Sequence, residues 1–563
     1  MRPSLRWTAL LTWLSIGCGR LGYAPSDVDA ALDARTVSDA SDGMDARLDA
    51  SSDAGLDASS DAGLDAGLDA SSDAGLDAPT SPDAGMDGGV LPALWARLDD
   101  YVKASNTGVG DGFGAAVAIS ADGSMMAIGA PGEDGSGTGV DPTVDEGSSE
   151  SGAVYVFRST GGGWVFDAYL KASDTGSNDR FGSALAFDSA GTMLAVGAPG
   201  EASNAALLDA ASNELVPGCG AVYVYERDAG GWRFTERLKP SNPGSDLAFG
   251  GALDLSGDGA VLAIGAITED SSGTGVDPSP DLLATGSGAV YVFRHTDRWA
   301  FDAFLKASNT STGDGFGASV ALSLDGNLLA VGAPNEDGGG RGVDPPSDEA
   351  ATDSGAVYLY QHGVAWSFLW YLKASNTGAG DAFGSSVALD DGAGVLVVGA
   401  TLEDGSSLGV GGADDDGALD TGAVYAFGRL GSSWSQEAYL KAFHASEDLN
   451  FGRSVALAGN GGVLAVGCPL ESSGGMGLGT IAMGSAAYSG AVFSYARTAA
   501  GWQTRQLVKA SNAGSDDRFG AIALSRDGSV LVVGAPQEDG AGRLIDPPSD
   551  EGAPESGAAY VAR

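Results

Sequence analysis

The residues of this chain best equipped for chemistry are carboxylates, and they recur in a fixed order. Glu133, Glu201, Glu269, Glu336, Glu403, Glu471 and Glu538 each follow a Gly-Ala-Pro-like phrase. The next residue is aspartate in five of these places: Asp134, Asp270, Asp337, Asp404 and Asp539. Eight residues after the glutamate an aspartate returns at Asp141, Asp209, Asp277, Asp344 and Asp546, and Asp145, Asp281, Asp348 and Asp550 follow. Carboxylates clustered on a glycine-rich loop with free carbonyls are the donor set of a hard cation, which makes Ca²⁺ the candidate cofactor. The candidate ligands are Glu133, Asp134, Asp141, Asp145, Glu269, Asp270, Asp277, Glu336, Asp337, Asp344, Asp348, Glu538, Asp539, Asp546 and Asp550. Two structural readings stand beside this one. The acids could be solvated loop residues that lend solubility, or the glutamate could accept hydrogen bonds from neighbouring loop N–H groups. Gly411 and Gly479 replace the later aspartate in the fifth and sixth copies, which makes those two the poorest sites. A lysine also recurs, from Lys103 to Lys509. Asp111, Asp179, Asp314 and Asp381 lie two residues before a repeated Phe-Gly, and Asp246 and Asp448 three before. Lysine–aspartate pairing within each repeat is expected.

Other chemistry is thinly represented. Only His295, His362 and His444 occur, all outside the repeated loops. No H-E-x-x-H, G-x-S-x-G or P-loop pattern is present. The carboxylates leave a glycosidase-like acid pair open by residue type. Catalysis, however, needs one asymmetric site, and these acids repeat along the chain. The reading is therefore no enzyme and no catalytic residues, with a hydrolase or lyase of an extracellular polymer as the alternative. Acids outnumber bases 75 to 29, for a net charge of −46. Nucleic acid binding works through lysine and arginine displacing counterions, so a polyanionic partner is not expected. Cys219 and Cys468 occupy different repeat positions, and a disulfide between them is not expected.

The elements that hold these residues repeat with them. Phe-Gly occurs at Phe113, Phe181, Phe249, Phe316, Phe383, Phe451 and Phe519, at intervals of 68, 68, 67, 67, 68 and 68. In the fourth copy FGASVALS reads as a strand, Asp325-Gly326 as a hairpin turn, LLAVGAP as a buried strand, GAVYLY as a third and WSFLWYLK as a fourth. One such sheet has two open faces, and stacking copies in a ring covers both. The fold class is all-β, a seven-bladed propeller of four-stranded blades. The last copy ends after its third strand, while WARLDDYVK precedes the first copy. That N-terminal strand is expected to complete the last blade. Trp95 precedes Lys103 by eight residues where Trp366 precedes Lys373 by seven, which predicts a bulge at the seam. The last copy is also one residue short between Phe519 and Gly534, which predicts a shortened first strand.

Phe-Gly, Gly-Ala-Pro and Ser-Gly-Ala-Val-Tyr, seven times over, resemble the FG-GAP repeats of the integrin α-subunit propeller, and most closely bacterial integrin-like FG-GAP proteins. The likeness spans residues 94–563. It implies a binding or adhesion propeller, with an unidentified extracellular protein or glycan as partner. Propeller scaffolds host many activities, so the fold alone does not carry that function. The integrin calcium loop, D-x-D-x-D-G between the first two strands, is absent. The turns at Asp122 and Asp325 offer one aspartate each.

Residues 1–18 read as a signal peptide: Arg2 and Arg6, then the apolar run WTALLTWLSIG up to Cys18. Gly17-Cys18 resembles a lipobox, which makes Cys18 the expected lipidation site, although Ser15 stands where leucine is usual and Leu14 lies one place earlier. Residues 19–93, with SSDAGLDA at Ser51, Ser59 and Ser71, read as a disordered linker too poor in apolar residues to fold. The chain is thus expected to be exported, monomeric and lipid-anchored to a bacterial membrane, at the cell surface or in the periplasm.

Overall fold

The computed structural model describes residues 93–563, apart from residues 205, 209–214, 413–414, 445–448, 480–485 and 549. The expected signal peptide with Cys18, the linker before residue 93, and Asp209 and Asp448 lie outside the described residues. Seven antiparallel sheets follow one another, each a blade. Blade 4 is typical, with strands Ser319–Leu322, Leu328–Ala333, Ala356–His362 and Trp366–Leu372 paired in chain order. Leu328–Ala333 is buried along its whole length, because both faces of this apolar strand are covered by neighbouring blades. The core is accordingly divided among the blade junctions. Val290, Val292 and Leu305 of blade 3 pack on Leu329, Val331 and Tyr358 of blade 4, and equivalent clusters fill the other six junctions.

The glycines of the repeated phrases mark where backbones meet. A Cβ on Gly129 would lie 2.0 Å from the carbonyl oxygen of Gly182, so the Phe-Gly of one blade seats directly on the Gly-Ala-Pro strand of the blade before it. Gly152, at φ +82°, meets the backbone of Phe181 in the same way.

The N-terminal strand Leu98–Lys103 pairs with Ala558–Ala562 and completes blade 7. Of the two seam expectations the bulge holds and the shortened first strand needs correction. The bulge is present, at Asp99, but it is not special to the seam. Asp167, Thr235, Asp302, Leu369 and Glu437 are skipped at the same place, four residues before the lysine, and blade 6 shifts register between Thr504 and Leu507. The extra residue is absorbed ahead of the strand. There Trp95 is fully buried and its Nε1 donates to Gly528 O at 3.2 Å. The first strand of blade 7, Ala521–Leu524, is four residues long, as is Ala116–Ile119. The missing residue comes from the turn after Phe519 instead.

A second departure concerns strand number. The long acidic loop folds back along the outer strand as a short fifth strand in three blades, Gly139–Val140, Gly275–Val276 and Leu544–Ile545. Blades 2, 4, 5 and 6 form a single bridge at the same place. This strap covers part of an edge that would otherwise be open to pairing.

Candidate functional site

Each repeated glutamate ends in a buried polar node. In blade 4, Glu336 is 1% exposed and Lys373 0%. Lys373 Nζ donates to Glu336 Oε2 at 2.7 Å and to Ser354 Oγ at 2.7 Å. The same carboxylate accepts from Tyr371 OH at 2.7 Å, Asn309 Nδ2 at 2.8 Å and Gly338 N at 3.0 Å. Asn309 comes from the preceding blade, and its Oδ1 accepts from Tyr358 OH at 2.6 Å. The node therefore ties the ends of two strands, one loop and two blades together. Burial pulls the Lys373 pKa down against the attraction of Glu336, and pushes that of Tyr371 up, with Glu336 adding to the rise. A buried pair is costly unless its remaining lone pairs and protons find partners, and here the carboxylate accepts from four donors while the ammonium also donates to Ser354. At the seam, Lys103 Nζ lies 2.6 Å from Glu538 Oε2 and Tyr101 OH 2.5 Å from Oε1, so the closing strand carries its own half of a node.

This geometry overturns the expected lysine–aspartate pairing. The lysine's partner is the glutamate in all seven blades. The aspartates before Phe-Gly do another task, accepting from the backbone three residues earlier: Gly108 to Asp111, Gly176 to Asp179, Ser311 to Asp314 and Gly378 to Asp381, each at 2.7 Å. Asp517, in the equivalent place of the last copy, accepts from Gly514 at 2.6 Å. Burial pushes Asp111, Asp381 and Asp517 up to about 7 and Asp314 to about 8, against the pull of those N–H groups.

Where a blade departs from the pattern, its node is rebuilt. In blade 2, Arg237 stands for tyrosine and Asp174 for asparagine, and the two form an ion pair. In blade 3, Phe304 stands for tyrosine, and Ser271 Oγ donates to Glu269 Oε1 in its place. In blade 6, His444 replaces the asparagine, with Nε2 3.3 Å from Glu471 Oε1 and a pKa lowered by burial. The other two histidines cap third strands, His295 against Trp299 and His362 against Trp366. Cys219 and Cys468 are free and buried.

The remaining candidate calcium ligands are dispersed. Asp134, Asp270, Asp337 and Asp539 each accept from a backbone N–H sixteen residues on, at 2.7 to 2.8 Å. Asp145, Asp281, Asp348 and Asp550 each accept from a backbone N–H nine residues back, at 2.6 to 2.7 Å. Asp344 sits at φ 47°. It pairs with Tyr371 through both backbone and side chain, N to O at 2.7 Å and Tyr371 N to Oδ1 at 2.9 Å. Asp141, Asp277 and Asp546 make the same clasp. The clasp explains the substitution by Gly411 and Gly479, whose backbones make the same N–H···O bond at left-handed φ. Among the described residues, no three His, Cys, Asp or Glu side chains converge as a metal ion requires. These residues do not fit a calcium cage.

Sevenfold regularity fails most plainly between blades 5 and 6. Five residues before the lysine, blades 1 to 4 carry Phe166, Phe234, Phe301 and Phe368. Each meets a third-strand aromatic ring edge-on at 5.7 to 5.8 Å between centroids. Blade 6 has Thr504 there, and Phe443 enters from the end of blade 5 to meet Phe493 edge-on at 4.9 Å and Tyr495, the ring paired with Thr504, at 6.2 Å. The exchange leaves an open groove of 550 Å³, lined by Leu408 and Val410 of the blade 5 strap, Phe443, and Trp502 to Thr504. Sequence reading missed the exchange. It missed the tyrosine, asparagine and serine of the node too, although their recurrence beside the lysine was a usable signal.

Residues 299–360 match the FG-GAP repeat family. No curated protein sequence matches the chain. Among solved structures, the fold is similar to a candidate 6-phosphogluconolactonase from Bacteroides uniformis, at 10% identity and a TM-score of 0.38, over 71% of this chain and 86% of that one. It is also similar to the RRP9 WD40 repeats, at 11% identity and a TM-score of 0.44, over 83% of this chain and 100% of that one. Residues 299–360 thus carry the match to the FG-GAP repeat family, in a chain that folds as a seven-bladed β-propeller.

Proposed function

We propose that this chain is a non-enzymatic, membrane-tethered extracytoplasmic propeller that binds an extracellular protein or glycan, in the manner of integrin-like adhesion domains. One observation carries the reading. The repeated glutamates and lysines are consumed by the nodes that join strands and blades. Among the described residues, the groove between blades 5 and 6, where the repeat is broken, is open for recognition. Binding sites are commonly concave, largely apolar and supplied with a few polar groups, and Gln503 and Thr504 supply them here.

The test uses the full chain coated on beads and immobilised polysaccharides and denatured collagen as probes. Retention on one polymer that is lost in Thr504→Phe, which restores the residue type of blades 1 to 4, supports the reading. New reducing ends or unsaturated sugar products released from any polymer would establish the hydrolase or lyase instead.

A further inference from the structure

The hairpin turns between first and second strands gather around the ring axis, on the face opposite the acidic loops. They are joined there by backbone hydrogen bonds. Ala121 N donates to Ser189 O at 3.3 Å, Ser189 N to Gly257 O at 3.0 Å and Gly257 N to Leu324 O at 2.9 Å. Asp391 N donates to Gly459 O at 3.0 Å, Gly459 N to Arg526 O at 2.8 Å and Arg526 N to Ala121 O at 3.0 Å. Among the described residues the one link missing from the circle is Leu324 to Asp391. Seven backbones at strand spacing, ~4.8 Å, enclose a circle of about 5–6 Å radius. Side chains crowd it further. A Cβ on Gly257 would lie 2.2 Å from Leu324 Cδ1, and one on Gly459 2.4 Å from Asp391 Oδ2. Arg526 reaches over Gly459 to pair with Asp391 at 2.5 Å.

We propose that this girdle is a second closure of the propeller, independent of the rim strand Leu98–Lys103. The Arg526–Ala121 bond joins blade 7 to blade 1 at the axis, whether or not the N-terminal strand is seated. Residues 93–97, with Trp95 buried and bound to Gly528 O, lie between residue 92 and the rim strand, so a pull from that side loads Trp95 and then the strand before any other element. The strand can peel from Ala558–Ala562 while the disc stays closed. Open and shut states of the rim are then separable from unfolding of the ring, which makes the strand a releasable catch. Parts of one fold that open separately are seen as different exchange protection.

Hydrogen exchange on the full chain tests this. The independent-closure model requires amides of residues 98–103 and 558–562 to exchange at least tenfold faster than those of Ser189, Gly257 and Gly459. One common rate for both sets would make rim and girdle a single cooperative unit and overturn the proposal. Arg526→Pro gives a second reading. Arg526 is the second residue of the turn closed by Gly528 N to Ser525 O at 2.8 Å, where proline is favoured but lacks the N–H. Arg526→Ala loses the same ion pair and keeps the N–H. Protection at Gly459 that falls at least tenfold in Arg526→Pro relative to Arg526→Ala supports the girdle. Equal protection in the two variants would overturn it.

Discussion

Breaking one node should cost more than any surface change of equal size, and blade 4 is the place to measure it. Lys373→Met removes a fully buried ammonium and leaves the Glu336 carboxylate 1% exposed, with three donors: Tyr371, Asn309 and Gly338 N. Removing one partner of a buried pair costs about 3–5 kcal/mol. The three surviving donors place Lys373→Met near the lower end of that range, about 3 kcal/mol. Glu336→Gln is the harsher change. It strips the carboxylate from Lys373 and leaves the ammonium with Ser354, and the cost rises to about 5 kcal/mol on the same scale. The double variant buries no unpaired charge, so it should recover at least ~2 kcal/mol of the summed loss, as neighbours in one network do. Denaturant unfolding followed by tryptophan fluorescence gives the three differences. A Lys373→Met cost below about 1 kcal/mol, or additivity of the two changes within about 0.5 kcal/mol, would refute the claim that the node holds the blade.

Stability should fall as pH rises from 5 to 8. Asp111, Asp381 and Asp517 at about 7 and Asp314 at about 8 lie above their ordinary 3.8. Their contribution is therefore whole below about pH 4 and is lost progressively as pH climbs to 7 or 8, by roughly 3 kcal/mol for each group near 7 and roughly 4 kcal/mol for Asp314 between pH 5 and 8. Unfolding free energies of Asp314→Asn should show a shallower pH slope than wild type, and an unchanged slope would count against the shift. Millimolar Ca²⁺ added after chelator should move Tm by less than about 1 °C, because the loop carboxylates do not converge. A rise of several degrees would mean that the loops rearrange to bind metal. Asp344→Val forces a branched residue to φ 47° and should cost about 1–3 kcal/mol, while Asp344→Gly, the residue type used in blades 5 and 6, should cost less. Equal losses would remove the conformational reason for aspartate there.

Much of this architecture is written along the chain. Intervals of 67 and 68 residues, apolar runs of strand length and the Tyr-Val-Lys phrase ahead of the first copy were enough to specify seven blades and their closure. Such features are local and repeat, so each copy supports the reading of the others. The lysine's partner was not legible, because aspartates and glutamates both recur at regular spacing. The choice depends on which strand end delivers a carboxylate to Nζ, and across the seam Lys103 and Glu538 are 435 residues apart. The bulge was inferred for one blade and belongs to them all, since Asp167, Thr235 and Leu369 share no residue type that would mark it. The exchange of Phe443 for a ring at Thr504 was hidden for the same reason: one residue follows a strand of blade 5, the other lies within a strand of blade 6. The sequence alone determined the repeat, the order of the four main strands in each blade and the apolar runs that had to be buried. Only the tertiary structure decided which buried charge meets which, because an ion pair is set by distance in space. The ring brings together groups that chain order keeps apart.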